Sequence, residues 1–201
     1  MLLDKSFYTR TDVVQIAKEL LGKVLVTHIG GKQTAGMIVE TEAYAGAGDK
    51  ASHAYDNRRT KRTEIMFAEG GVAYVYLCYG IHHLLNVVTN AAEVPHAVLI
   101  RGLEPLEGID VMLYRRNAIT LRSSLTAGPG ALSAAMGITT ELSGVPLAGP
   151  RIIIEDRGVK VAKADIVAGT RVGVGYAAED AYLPYRFSLK GNKYVSKGKG
   201  L

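Results

Sequence analysis

Met37-Ile38-Val39-Glu40-Thr41-Glu42-Ala43-Tyr44 decides how this chain is to be read: an apolar run that delivers two carboxylates two residues apart and then an aromatic ring. In a strand, side chains alternate with period 2, so Glu40 and Glu42 lie on one face. Like charges brought close together carry a cost, which folds accept where a carboxylate does acid or base work. Alone, an E-x-E pair fits a solvated strand end better. Its surroundings shift the balance. Tyr44, His53, Tyr74, Tyr76 and Tyr79 bring flat rings, and Arg58, Arg59, Lys61 and Arg62 bring positive charge between the two halves of the stretch. Carboxylate, rings and basic loop together describe a nucleobase held against a general base on a polyanion.

Outward from this segment, Val24 to Ile29 and Gln33 to Thr41 alternate around Gly30-Gly31, which reads as a hairpin whose second strand carries Glu40 and Glu42. Upstream, Val13, Ile16, Ala17, Leu20 and Leu21 have helical spacing over Thr11 to Gly22, with Thr11 as N-cap and Gly22 as stop. Downstream, Ala45 to Thr63 is rich in glycine and cations and reads as a long functional loop containing His53. Ala73 to Leu77 and Leu84 to Thr89 read as strands with Tyr79-Gly80 at their turn, which places an aromatic at a hairpin tip as a candidate wedge between base pairs. Val98 to Ile100 is a further strand, with Arg101 free to pair with Glu104, and Leu106 to Arg116 reads as a helix. Gly128-Pro129-Gly130 breaks the chain before a short helix, Ala131 to Met136. Arg151 to Ile154 and Arg171 to Gly175 read as strands, and the lysine-rich tail from Lys190 to Leu201 reads as frayed. His82 and His83 are adjacent and so point to opposite faces of an extended segment, which disfavours a metal site.

At 201 residues the chain suits a single domain, and 48% hydrophobic with 21% charged residues is a globular composition. A net charge of +5 favours a polyanionic partner. No apolar run approaches the length of a membrane span, and Met1 to Lys5 lacks the features of a secretory signal. One cysteine, Cys78, excludes an intrachain disulfide and a multi-cysteine metal site, so an intracellular protein is expected.

The blocks Val39 to Tyr44, Tyr74 to Gly80, Asn86, Leu99 to Leu106, Gly128 to Gly130 and Arg171 to Gly175 resemble, in order, the alkyladenine (3-methyladenine) DNA glycosylase family, also called methylpurine DNA glycosylases. The resemblance runs from about Phe7 to Phe187. It implies a single mixed α/β (α+β) domain around a curved, mostly antiparallel sheet flanked by helices, acting as a monomer with no metal or organic cofactor. It also implies a DNA-associated enzyme of cytoplasm and nucleoid, or of the nucleus, that flips a damaged purine from double-stranded DNA and hydrolyses its N-glycosidic bond without lyase activity. By the same resemblance Glu42 activates the water and Arg101 and the main-chain carbonyl of Val172 hold it. Tyr44, His53 and Tyr76 wall the pocket, Asn86 crowds the 2-amino group of guanine, and Tyr79 fills the gap in the base stack. One departure is Ala131, where the family commonly has a basic or polar residue, which puts a DNA contact at that helix start in doubt.

The residues themselves agree with this chemistry. A purine made cationic by alkylation is a good leaving group, and electron-rich rings would add cation–π attraction. Two other classes stay in view. A nucleic-acid-binding module would use the basic and aromatic surface but has no need of a carboxylate facing phosphates, and a small-molecule nucleosidase has no need of a basic loop or a tip tyrosine.

Overall fold

The computed structural model describes residues 1–200. In chain order its strands are β1 (Val24–Ile29), β2 (Lys32–Tyr44), β3 (Ala73–Cys78), β4 (His82–Thr89), β5 (His96–Glu107), β6 (Ile152–Glu155), β7 (Ile166–Gly169) and β8 (Arg186–Leu189). The α-helices are α1 (Lys5–Tyr8), α2 (Val13–Glu19), α3 (Ile109–Arg115) and α4 (Pro129–Met136). Every strand pairing is antiparallel, and the order β3-β4-β5-β2-β1-β6 forms one curled sheet with helices against it, the mixed α/β fold expected.

The Gly30-Gly31 hairpin is present, with φ of 63° and 68°, a conformation that side chains with a Cβ rarely adopt. β2 then outruns β1 and meets different neighbours on its two edges. β5 follows one edge, and β8 takes the other at Glu40↔Ser188, Thr41↔Phe187 and Glu42↔Arg186, with β7 beyond it. The sheet therefore forks at the two carboxylates, which explains why Glu40, Thr41 and Glu42 are all fully buried. Alternation holds across the fork. Thr41 turns the opposite way from the glutamates and donates its hydroxyl to the Ala17 carbonyl of α2 (2.9 Å), above a core of Ile16, Leu20, Ile38, Ile100, Leu103, Met112, Leu132 and Phe187.

Opposite the fork β5 is irregular. Glu40 pairs with Gly102 and Thr41 with Ile100, so Arg101 is an extra residue in the ladder. A bulge of this kind re-aims the side chain it carries, and here it turns Arg101 onto the glutamate face.

Several expectations are corrected. The cap of α2 is Asp12, accepting from the Gln15 N–H at 2.9 Å, and not Thr11. β5 continues to Glu107, and Gly108 at φ 66° delays the helix to Ile109, because a left-handed residue ends the extended run. Arg101 does not pair with Glu104, which accepts from Asn192 instead (2.7 Å). Arg171 to Gly175 is not a strand; Gly173 at φ 75° turns the chain there, and β7 and β8 flank it. Nor is 190–200 frayed: Tyr194 is buried, and the Tyr194 carbonyl packs so tightly on Gly102 that a Cβ there would lie 2.7 Å from it. Leu201 lies outside the described residues.

Candidate active site

Glu40 and Glu42 share a face and have different partners. Glu40 is saturated. Its Oε1 accepts from Arg101 Nε (3.1 Å), Arg186 Nε (2.9 Å) and Ser196 Oγ (2.9 Å), and its Oε2 accepts from the Ser196 N–H (2.6 Å). Glu42 is held more sparingly: Oε1 accepts from the Val172 N–H (2.8 Å), Oε2 accepts from the Tyr44 hydroxyl (2.8 Å), and Arg101 Nη1 stands 3.4 Å from Oε1. Arg101 thus bridges both carboxylates, and the bulge in β5 is what allows it. Burial works against the charge of Arg101, but Glu42 and Glu40 outweigh it and raise its pKa. Burial, reinforced by Glu42, pushes the Tyr44 phenol well above its ordinary value, so it stays protonated and donates.

In front of Glu42 lies a cleft of about 720 Å³. Tyr44, Arg101 and Val172 form its back wall, and Glu42, fully buried, is directly behind them. Tyr74 and Tyr76, alternate residues of β3, present one side, and His53 from the long loop meets Tyr76 edge-on with ring centres 4.7 Å apart. Asn86 on β4 closes the floor, its Nδ2 held by the Tyr74 carbonyl at 3.2 Å. The turn Gly128 to Ala131 before and within α4 forms the opposing lip, so Ala131 does face the cleft. His53 Nδ1 lies 3.1 Å from the Tyr74 hydroxyl, and Arg62 Nη2 lies 3.2 Å from His53 Nε2. A guanidinium can only donate, so Nε2 is the acceptor and Nδ1 carries the proton. Burial first, then Arg62 and Arg58, push the His53 pKa down to about 4, so the ring is neutral at physiological pH.

Tyr79 is at the β3–β4 tip, 91% exposed, with φ of 51°, a left-handed conformation unusual for an aromatic residue. Ile81 beside it is also exposed.

All eight residues singled out from the sequence therefore meet in or around one cleft, with Glu42 behind its wall and Tyr79 on its rim. The contact that Val172 makes to Glu42 is through its N–H. Sequence reasoning missed the supports. Arg186 and Ser196 come from β8 and the tail. Arg171, fully buried, is clamped by Asp49 (2.5 and 2.9 Å), and its guanidinium lies 4.8 Å from the centre of the Tyr44 ring, so the pair fixes both Tyr44 and the segment bearing Val172. These partners are 122 or more positions apart and leave no local pattern to read.

A family model described as methylpurine-DNA glycosylase matches residues 6–193. Relatives provisionally named 3-methyladenine DNA glycosylase are similar over nearly their full length. The one from Chlamydia abortus is 47% identical over 189 residues, covering 94% of this chain and 98% of the relative. The one from Clostridium perfringens strain SM101 is 45% identical over 205 residues (98% and 100%), and that from Bacillus cereus strain Q1 is 44% identical over 200 residues (96% and 97%).

Proposed function

This chain belongs to the methylpurine-DNA glycosylase family, and from that premise we propose how its cleft works as a DNA N-glycosylase of base excision repair. The substrate is double-stranded DNA containing an alkylated or deaminated purine of the 3-methyladenine, 7-methylguanine and hypoxanthine class. Tyr79, exposed on the hairpin tip, wedges into the stack while the damaged nucleotide rotates into the cleft. Tyr44, His53 and Tyr76 take the flipped base between ring faces and edges, and Asn86 on the floor crowds any 2-amino group. Glu42 then acts as general base: a water loses its proton to the carboxylate as its oxygen bonds to C1′, and the C1′–N9 bond breaks with its electron pair leaving on the purine. Arg101 and the main chain at Val172 keep Glu42 aimed, and the Tyr44 hydroxyl must leave Oε2 for water to reach it.

The observation that carries this reading is the contrast between the glutamates: one buried carboxylate is fully spent on structure, and the other is oriented by three groups that line a cleft of aromatic rings. Water is the expected nucleophile, since among the described residues no lysine lines the cleft and Lys50 is engaged by Glu179 (2.6 Å). One glycosylase domain spans 1–201, acts as a monomer and works on DNA inside the cell. No helix among the described residues is long and apolar enough to cross a membrane.

The test is base release from two duplexes, one with 7-methylguanine and one with hypoxanthine, beside a Glu42→Gln control. Release that disappears in the control supports both the activity and its general base. Tight, salt-sensitive binding without release from either duplex would sink the enzymatic mechanism.

A further inference from the structure

The outer end of the cleft carries a cation that the base-release chemistry does not use. Arg62, on the loop between His53 and β3, has its Cζ 4.8 Å over the Tyr76 ring, and its Nη2 lies 3.2 Å from His53 Nε2. It lines the same cleft as the residues that would receive a flipped base. Its neighbour Arg59 is neutralised by Glu64 and Glu93, whereas among the described residues no carboxylate lies within ion-pair distance of Arg62. His53 is neutral, and of the two arginines whose charge reaches it, Arg62 acts more strongly than Arg58 and is the one stacked on the Tyr76 ring.

Two consequences follow for a base entering here. The attraction of the Tyr76 ring for a cation is already taken up by the protein's own guanidinium, so a purine made cationic by alkylation meets repulsion where bare rings would have attracted it. A guanidinium also presents two parallel N–H donors, which match two adjacent acceptors such as O6 and N7 on the outer edge of a 6-oxopurine. Hypoxanthine offers both. In 7-methylguanine N7 is blocked by the methyl group, and 3-methyladenine has an amino donor at C6.

We propose that Arg62 is a specificity-determining residue that reads the O6/N7 edge of the flipped purine and favours neutral 6-oxopurines over N-alkylated, cationic ones. This rests on the glycosylase reading above. It also revises the simplest view of the pocket, in which the aromatic rings favour cationic lesions. Discrimination against normal guanine, which shares the O6/N7 edge, is left to the floor of the cleft at Asn86.

The test compares single-turnover release of hypoxanthine and of 7-methylguanine from otherwise identical duplexes by the parent protein, Arg62→Met and Arg62→Lys. Arg62 is exposed, so both variants should melt with the parent. In Arg62→Met the hypoxanthine rate should fall about 10-fold or more while the 7-methylguanine rate holds or rises. Arg62→Lys, with charge but no fork, should lose hypoxanthine release without gaining on 7-methylguanine. Equal falls for both lesions with a shallower salt dependence would mark Arg62 as a phosphate contact and overturn the proposal. An unchanged ratio of rates would overturn it too. Failure of the parent to release either base would overturn the glycosylase reading itself, a result distinct from both.

Discussion

Replacing Glu40 or Glu42 by glutamine, one at a time, should separate stability from activity at positions two residues apart. Glu40 accepts four hydrogen bonds in a fully buried setting, two of them from arginines. A glutamine amide cannot reproduce this. With its nitrogen toward Ser196 it sets two donors 2.6 Å apart; with the nitrogen turned the other way it faces Arg101 and Arg186. Either way buried donors are orphaned and two arginines lose their shared counter-charge, a loss of about 3 to 5 kcal/mol. For a chain of this size that lowers Tm by about 6 to 20 °C. Glu42→Gln has an escape. Its carbonyl can accept from the Val172 N–H while its amide donates to the Tyr44 oxygen, whose hydroxyl rotates, and Arg101 keeps Glu40 as partner. The change in stability should stay within about 1 kcal/mol. Loss of the proposed general base, however, should cut single-turnover base release by about 10² to 10⁴-fold. Thermal melts by circular dichroism and quenched single-turnover release on one hypoxanthine duplex measure both quantities. If Glu42→Gln melts as low as Glu40→Gln, or if it still releases base at the parent rate, the division of labour between the carboxylates is wrong.

Asp49→Ala should lower Tm by about 6 to 20 °C, because it leaves the fully buried Arg171 guanidinium without its carboxylate, and it should slow base release by loosening Tyr44 and the Val172 segment. His53 gives a pH signature. Its folded pKa of about 4 lies below the usual 6.5, so the unfolded chain takes up a proton that the folded one refuses, and stability is lost as pH falls from about 6.5 through 4. Melts at pH 7 and 4.5 should show a smaller difference in His53→Gln than in the parent. Tyr79→Gly should slow release from duplex DNA and leave release from single strands alone, and it should melt no lower than the parent, since glycine suits the positive φ there. A fall in Tm would contradict a strained, exposed wedge.

What could be read from the chain in advance was local. The Gly30-Gly31 hairpin, the period-2 alternation that puts Glu40 and Glu42 on one face, and the Tyr74 and Tyr76 pair on β3 depend on residues a few positions apart. The misreadings have a common cause. Arg171 to Gly175 alternates like a strand, yet Val174 packs with Ala51 of the long loop and with Ala177 and Ala181, and a glycine turns the segment. Lys190 to Gly200 looks like a solvated basic tail, yet Tyr194 and Ser196 anchor it on Gly102 and Glu40. The sequence leaves Arg101 open to a pairing with Glu104 because nothing in it announces a bulge. In each case the deciding partner is distant in the chain, and tertiary contact overrides the local pattern.

Those distant partners also give a reason for two buried glutamates where the proposed chemistry needs one. A lone carboxylate behind an aromatic wall would either take up a proton or capture the nearest arginine in a tight pair, and both outcomes remove it as a base. Glu40 prevents the second. By holding the Arg101 Nε at 3.1 Å, with Arg186 and Ser196 completing its shell, it anchors the guanidinium so that only Nη1 approaches Glu42, at 3.4 Å, beyond a good hydrogen bond. Glu42 thereby receives the field of a cation without surrendering its lone pairs to it, and its Oε2 is left to a tyrosine hydroxyl that can swing away. The fork in the sheet serves the same arrangement: β5 on one edge of β2 brings Arg101 and β8 on the other brings Arg186 to Glu40.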